Sequence, residues 1–597
     1  METSYSIQTG ETKTLGVVDF AVFGCTLSVM LFIGLYFAMK NKKDQDPAEY
    51  LVAGRSMGVL PVSLSLALTF LSALTLLGLP AEIYNYTTMF WWLALGMVLA
   101  VAGAAHVFNP VLYNIGITSV YEYIDRRYGS TVRVLISFSW VLQTMSYMGT
   151  VLYAPSLALK TVTGMELWVS ILTVGCLVTL YTSLGGMRAV LWTDSFQAVL
   201  ILVGLLSVLI QGCITIGGFG RAWEIASENS RIYFHDFSVD PGTRASFWAV
   251  VVGGGVMWMS YYSISQSQVQ RILACPTLKK AQIAMWCSGA QLVLIVSLCC
   301  MVGVVLFAFY KDCDPLQYNL VSTTDELLPL FVMDILGHLP GLPGIFLSCI
   351  FSGSLSSLSS GMNAVSAVVL QDYIRPFCSC NINNFTATVI TKVTTVACGG
   401  ISIGIAFVAS RLGNLLELPY IAMSIIDGPV FGVFILGMFF PRGNKWGALC
   451  GYISGITVML WIAVGAFIHD IASPMSQFSV KGCNWNATNS TMPTTPTPLA
   501  NNTMSAEQYD DLSIYRLSFL YYTATGAFIN VIVGMIVSFI TGYGKLVTTD
   551  PKLVFPLIRS FCPCLPKKVM DTCDCTPVVE RPPQEDETEM SHDVCIF

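Results

Sequence analysis

An all-α polytopic membrane protein is the fold class this chain predicts, and three observations carry the prediction. Apolar stretches of about 18 residues or more recur along the 597 residues, each long enough to cross a bilayer. Hydrophobic residues make up 54% of the chain and charged residues only 11%, a composition outside the soluble globular range. Hydroxyl side chains interrupt several of the apolar stretches. Lipid offers those oxygens no partner, so they must face protein, water or a ligand.

The stretches number about thirteen. They cover residues 17–39, 57–80, 89–113, 131–160, 166–184, 190–216, 246–266, 281–310, 328–369, 386–409, 415–440, 446–469 and 516–543. The stretch 328–369 is too long for one span and predicts a short separate helix near Asp325–Leu336. One membrane domain therefore fills 17–543, with 1–16 as an extracellular N-terminus and 544–597 as a cytoplasmic tail. No basic leader precedes the first stretch, so no cleavable signal peptide is expected.

Basic residues orient the chain. Lys40, Lys42, Lys43 and Arg55 form one cluster, Arg126, Arg127 and Arg133 a second, and Arg271, Lys279 and Lys280 a third. All three fall on the same side when the N-terminus is outside and the C-terminus inside, as an odd helix number requires. The segment 470–515 is then an extracellular loop. It holds the sequons at Asn486, Asn489 and Asn501 beside a Thr/Pro-rich TMPTTPTP stretch, so these are the expected N-glycosylation sites. Asn384 falls inside and Asn85 too close to the membrane to be used. The plasma membrane is the expected location.

Of 19 cysteines, only Cys313 and Cys483 fall in outer loops, which leaves a bridge between them open. Cys562, Cys564, Cys573 and Cys575 lie in the tail as free thiols or palmitoylation sites. The tail is polar and Pro/Glu-rich, expected to lack structure, and ends in Asp-Val-Cys-Ile-Phe, which suits strand addition to a PDZ-type groove. The net charge of −6 gives no reason to expect nucleic acid as a partner. Histidines are few and scattered, with no HExxH and no nucleophile motif, so no enzyme and no organic cofactor is expected.

Two segments look interrupted. The second reads SLALTFLSALTLLGLP, with Ser63, Ser65, Thr69, Ser72 and Thr75 among leucines and Gly78 and Pro80 at its end. The seventh begins with Gly253, Gly254 and Gly255 and finishes SISQSQ. The two lie five helices apart. Broken helices at matching positions of two halves point to an inverted-repeat transporter. The competing reading is that glycine and serine merely allow close helix packing.

Residues 350–360 read IFSGSLSSLSS, six hydroxyls in nine residues. Back-bonding to the preceding turn accounts for one or two of them. The rest form a set of neutral oxygens that suits a hard monovalent cation held weakly enough to release. This run is the first candidate for a sodium site.

Six motifs resemble the sodium/solute symporter family, solute-carrier family 5, in its branch of sodium-coupled monocarboxylate, iodide and multivitamin transporters. They are YEYIDRRY (121–128), YAPSLAL (153–159), GGMRAVLWTDSFQ (185–197), QSQVQR (266–271), GLPGIFLSCIFSGSLSSLSSGMNA (341–364) and GPVFGVFILGMFFP (428–441). The resemblance implies a LeuT-like five-plus-five inverted repeat. It also implies a sodium site built from the hydroxyls of Ser356 and Ser357 with the carbonyls of Gly353, Leu68 and Leu71. A second sodium and the substrate would lie near Phe70, Ser72, Thr75, Tyr147, Trp258 and Gln266. Thr75 stands where iodide-transporting members carry Gln, Ser265 where Asn is usual, and Pro419 and Tyr420 where Ser and Phe are usual.

Asp427, beside Gly428 and Pro429, is an acid within the membrane stretch, either functional or capping backbone N–H groups at a helix break. No Lys or Arg lies centrally in the expected spans. The expected activity is sodium-driven symport of a small organic anion such as lactate, pyruvate, nicotinate or a short-chain fatty acid. Iodide, biotin or pantothenate, or a sodium-gated sensor or channel, are the alternatives.

Overall fold

The computed structural model describes residues 14–40, 52–317, 320–321, 323–377, 382–410, 417–469, 471, 476, 478–483, 513–542 and 550–555. All regular structure among them is helical. Helix α1 covers Val17–Lys40, and α2 (Val59–Leu68) and α3 (Ala73–Asn85) form a broken pair bent by 57°. α4 (Leu93–Gly103) passes through a π-turn into α5 (Asn109–Ile115). α6 (Tyr121–Tyr128) leads into α7 (Ser130–Thr163). α8 runs Leu167–Ile216 and α9 Phe219–Glu228. α10 (Gly254–Ile264) and α11 (Gln266–Leu273) make a second broken pair. There follow α12 (Leu278–Tyr310), α13 (Leu327–Leu336), α14 (Leu342–Val368), α15 (Asn384–Ala409), α16 (Glu417–Phe439), α17 (Lys445–Ile468) and α18 (Tyr522–Gly542).

Among the described residues nine helices are long and apolar enough to cross a membrane, ten if α2 and α3 make one span. That count does not confirm the expected thirteen. α8 joins two of the expected spans in one run, turning at Gly186, where φ is 63° and only glycine is comfortable. α7 is interspersed with polar residues, and α10 is short. The short helix expected near Asp325–Leu336 is α13.

The bundle is inside-out relative to a soluble protein. Phe32, Phe467, Phe528 and Phe539 on α1, α17 and α18 are largely exposed, as lipid contact allows. α14 is buried from Phe346 to Val368, hydroxyls included. Its start is capped across the fold. Asp19 of α1 accepts from the backbone N–H of Gly341 at 2.8 Å and of Gly344 at 3.4 Å, a carboxylate at a helix N-terminus.

The glycine run 253–255 serves packing rather than interruption. A Cβ on Gly253 would lie 2.8 Å from the carbonyl of Leu520, and one on Gly255 3.3 Å from that of Gly96. The break of this segment falls twelve residues after Gly253, at Ser265, in the polar finish. In the second segment too, Gly78 and Pro80 lie inside α3 while the break falls in the hydroxyl-rich part, between Leu68 and Ala73.

A clasp closes one end of the bundle. Cys313 and Cys483 are disulfide-bonded. Tyr84 donates to Asp314 at 2.6 Å, and Asp314 N–H donates to Ser479 O at 3.0 Å. Arg231 lies over the rings of Phe307 and Phe478, and burial lowers its guanidinium to about 10. At another point, part of the segment expected to lack structure is packed. Leu553 and Phe555 are buried, Leu553 O accepts from Tyr123 Oη at 3.1 Å, and Phe555 N–H donates to Met438 O at 2.9 Å. The residues carrying the expected glycosylation sites and the terminal PDZ-type motif lie outside the described residues.

Close glycine contacts set the helix spacing, so their loss is measurable. Gly428→Ala places a Cβ 2.7 Å from the backbone carbonyl of Thr523, and a loss of about 1–3 kcal/mol in stability is expected. Gly404, with nothing within 4 Å, is the control: Gly404→Ala leaves the thermal midpoint of the detergent-purified protein unchanged within error or slightly raised.

Candidate functional site

The interruption between α2 and α3 follows from its side chains. Thr69 Oγ1 bonds back to Ser65 O at 2.7 Å, and Ser72 adopts an extended conformation, the behaviour that makes Ser and Thr poor helix-interior residues. Breaking the ladder frees backbone groups in the middle of the bundle. Leu66 O is taken by Tyr262 Oη at 3.2 Å and Gln268 Nε2 at 3.0 Å, both from the second broken pair. Thr69 O accepts from Ser357 Oγ at 2.9 Å. The carbonyls of Leu68 and Leu71 have no hydrogen-bond donor among the described residues. Ser72 Oγ is likewise buried without a partner.

The hydroxyl run on α14 divides cleanly. Ser352 and Ser359 bond back to their own helix, at 2.6 and 3.1 Å. Ser354 donates to Val151 O of α7 at 3.0 Å. Ser356 donates to Asp194 of α8 at 2.8 Å, and Ser360 meets Arg271 of α11. Only Ser357 reaches the break in the second segment. Gly353 sits one turn away, where a Cβ would lie 3.1 Å from Leu71 O and 3.2 Å from Ala73 N. Nothing larger than glycine allows α14 to approach the break this closely.

Asp194 and Arg271 form a fully buried ion pair at 3.3 Å. Asp194 also accepts from Ser65, and Arg271 donates to Ser65 Oγ at 2.6 Å and Ser267 O at 2.7 Å. The network ties α2, α8, α11 and α14 together and satisfies both charges. This corrects the sequence reading in one respect. Arg271 is not a loop residue in a basic cluster but a buried cation, because the seventh segment continues as α11 beyond its break. Both residues lie inside motifs quoted above, yet the pairing needs the fold to bring positions 77 residues apart together.

A cavity of about 20 Å³ opens beside the break. Phe70, Tyr147, Ser357 and Asp427 line it, as do Thr69, Trp140, Gln143, Thr144, Tyr261, Ser265, Ser267, Gly361 and Met423. Phe70 stacks on Tyr261 with ring centroids 4.8 Å apart. Room for about one water means that a passenger of several heavy atoms enters only when the helices separate. No Lys or Arg lines this cavity. Its acid, Asp427, is not at a helix break: α16 continues through Pro429, so the backbone-capping reading of Asp427 falls away.

The remaining sequence candidates lie off the cavity lining. Thr75 Oγ1 donates to Phe70 O at 3.4 Å. Gln266 accepts from Val120 N at 2.8 Å and donates to Thr118 O at 2.9 Å, pinning the start of α11 to the turn before α6. Trp258 packs its ring against Tyr261 and Tyr262, with Nε1 buried and unpartnered.

Residues 50–455 match the sodium:solute symporter family. The chain belongs to this family. Its relatives include the sodium-dependent multivitamin transporter of Oryctolagus cuniculus, 37% identical over 95% of this chain and 89% of that protein. Sodium-coupled monocarboxylate transporter 2 of Mus musculus is 37% identical over 96% and 92%, and the sodium/iodide cotransporter of Homo sapiens 37% over 95% and 90%. Among solved structures, a Na⁺-coupled sialic acid symporter in a substrate-bound outward-open state matches with a TM-score of 0.71 at 22% identity, covering 88% of this chain and 98% of that one. The fold of this symporter is accordingly LeuT-like. The chain is a polytopic membrane protein that couples solute movement to sodium, and it is not an enzyme.

The buried ion pair gives a direct test. Asp194→Asn leaves Arg271 uncompensated and is expected to cost about 3–5 kcal/mol. Adding Arg271→Gln recovers part of that loss, read as the monodisperse fraction and thermal midpoint in detergent.

Proposed function

We propose that the protein is a plasma-membrane importer of a small organic anion, with a monocarboxylate such as lactate, pyruvate, nicotinate or a short-chain fatty acid as its passenger. Sodium binds where α14 meets the break between α2 and α3. The ligands are Ser357 through its hydroxyl, and Leu68, Leu71 and Gly353 through their carbonyls; Ser356, expected from the sequence as a ligand, is turned to Asp194 instead. The observation that carries this reading is the pair of unpartnered carbonyls, Leu68 and Leu71, beside Ser357. Buried carbonyls without donors are what a desolvated Na⁺ replaces water with.

The anion sits next to that ion, among Phe70, Ser72, Thr75 and Tyr147, with Trp258 and Gln266 as the outer supports of the site. The N-terminus of α3 helps hold it. The backbone N–H groups of Ala73 and Leu74 have no acceptor among the described residues, and they carry the positive end of the helix dipole. Ion and anion each make the other's binding favourable, which is the coupling free energy that symport requires.

Driving force sets what such a device achieves. A tenfold sodium gradient gives about 1.4 kcal/mol per ion, and a potential of 60 mV about 1.4 more per charge. Two ions carrying one anion leave about 4.2 kcal/mol, or roughly thousandfold accumulation, whereas one ion leaves only about tenfold. The N-terminus is outside and the C-terminus inside, supported by the basic clusters and by the disulfide, which belongs on an oxidising side.

Vitamins and iodide are the second reading, favoured by relatives at the same 37% identity. Competition of unlabelled lactate, nicotinate, biotin and iodide against sodium-dependent uptake separates the two, and inhibition by iodide or biotin alone overturns the monocarboxylate reading. Ser357→Ala is expected to raise the sodium concentration for half-maximal uptake about tenfold, the loss of about 1.4 kcal/mol of ion binding, while surface expression holds. Normal uptake by this variant at low sodium removes the site.

A further inference from the structure

The passenger cavity carries an acid apart from the break, and helix α7 gives the scale of the separation. Its Tyr147 stands against Ser72 and Ser357 at the break, and its Gln143 stands against Asp427 of α16. These two α7 positions are one turn apart, about 6 Å along the helix axis. Tyr147, Ser357, Gln143 and Asp427 all line the same cavity.

The two places ask different things of a passenger. At the break, the N-terminus of α3 and bound sodium suit a carboxylate. At the other place stands Asp427, 6% exposed and in no ion pair among the described residues. Gln143 turns the N–H side of its amide to that carboxyl group, and no other donor meets it among the described residues. The neighbouring hydroxyls do not fill the remaining lone pairs. Tyr121 Oη of α6 and Tyr452 Oη of α17 are buried without partners, and Tyr261 Oη of α10 is directed at Met423 Sδ, 3.9 Å away. The lining has no Lys, Arg or His. A carboxylate with two oxygens has about four lone-pair sites, so most of its capacity is unused. A purely apolar passenger end against Asp427 leaves that capacity buried, whereas a hydroxyl or N–H satisfies it.

We propose that Asp427 is a specificity-determining residue that accepts a hydrogen bond from a donor carried by the passenger away from its carboxylate. The inference rests on the reading that the passenger is a carboxylate held beside sodium, and it narrows that class to short-chain acids with a hydroxyl or N–H toward the far end. The sign of the effect is diagnostic. Phe70, Trp140, Tyr147 and Tyr261 give the cavity aromatic walls. Against such walls an added hydroxyl weakens binding unless it finds an acceptor. A site that pairs the hydroxyl instead rejects the analogue that lacks it.

Sodium-dependent uptake of radiolabelled butyrate and 4-hydroxybutyrate, by cells producing the full-length chain, tests this. The two acids differ only by a hydroxyl at the end opposite the carboxylate. The parent is expected to take up 4-hydroxybutyrate with a KM at least fivefold below that for butyrate. Asp427→Leu is expected to cut this ratio at least fivefold. A smaller ratio in the parent, or a smaller cut in the variant, overturns the proposal. A rise of both KM values by one common factor leaves the ratio intact, assigns Asp427 to the shared carboxylate and overturns it equally. If Asp427→Leu does not reach the cell surface, Asp427→Asn decides: exchanging one acceptor oxygen for an amide is expected to lower the ratio at least twofold, and a smaller change sinks the assignment. Sodium-dependent uptake of neither acid overturns the carboxylate reading itself, a result distinct from uptake of both with equal KM.

Discussion

A backbone carbonyl released in the middle of a membrane has to be satisfied by protein or by a ligand, and this constraint organises the molecule. The unwound turn between α2 and α3 releases several. Tyr262 and Gln268 take one, Ser357 takes another, and Leu68 and Leu71 keep theirs. Around that turn the fold gathers a close-approach glycine and a group of buried hydroxyls. Gly353 lets α14 approach, Ser65 joins the Asp194 and Arg271 network, and the second broken pair leans on the first through Leu66. Rigidity next to the break and unpartnered oxygens at it are two sides of one arrangement.

The closed cavity adds a dynamic requirement. At about 20 Å³ it admits no passenger of several heavy atoms until the helices around it separate. Asp194 and Arg271 lie among α2, α8, α11 and α14, and α11 and α14 also line the cavity, through Ser267, Ser357 and Gly361, beside α7, α10 and α16. The cavity and the buried charges therefore share two helices.

How much of this was legible in the sequence differs from residue to residue. The hydroxyl run at 352–360 could be read because lipid forbids it otherwise, and the structure sends four of its six oxygens to other helices. The existence of two interruptions was legible, but not their position. Gly253 to Gly255 and Pro80 drew attention, while Ser72 and Ser265 make the breaks, because a glycine run that admits a neighbouring backbone looks the same in sequence as one that unwinds. Arg271 was misplaced because an apolar window ends where polarity begins, even when the helix and its burial continue. Thr144 and Tyr261 of the cavity were not found, since single polar residues on long apolar helices carry no signal until a partner helix is in place. Asp427 was singled out from cost alone, and the fold adds its position in the cavity.

The docking of Leu553 and Phe555 changes how the last 40 or so residues relate to the machine. These two residues are clasped by Tyr123 on α6 and by Met438 and Phe439 on α16. The chain is thereby fastened, at positions 553 and 555, to the helix that carries Asp427. Tension on the chain beyond Phe555 is therefore delivered to α6 and α16 before it reaches the rest of the bundle.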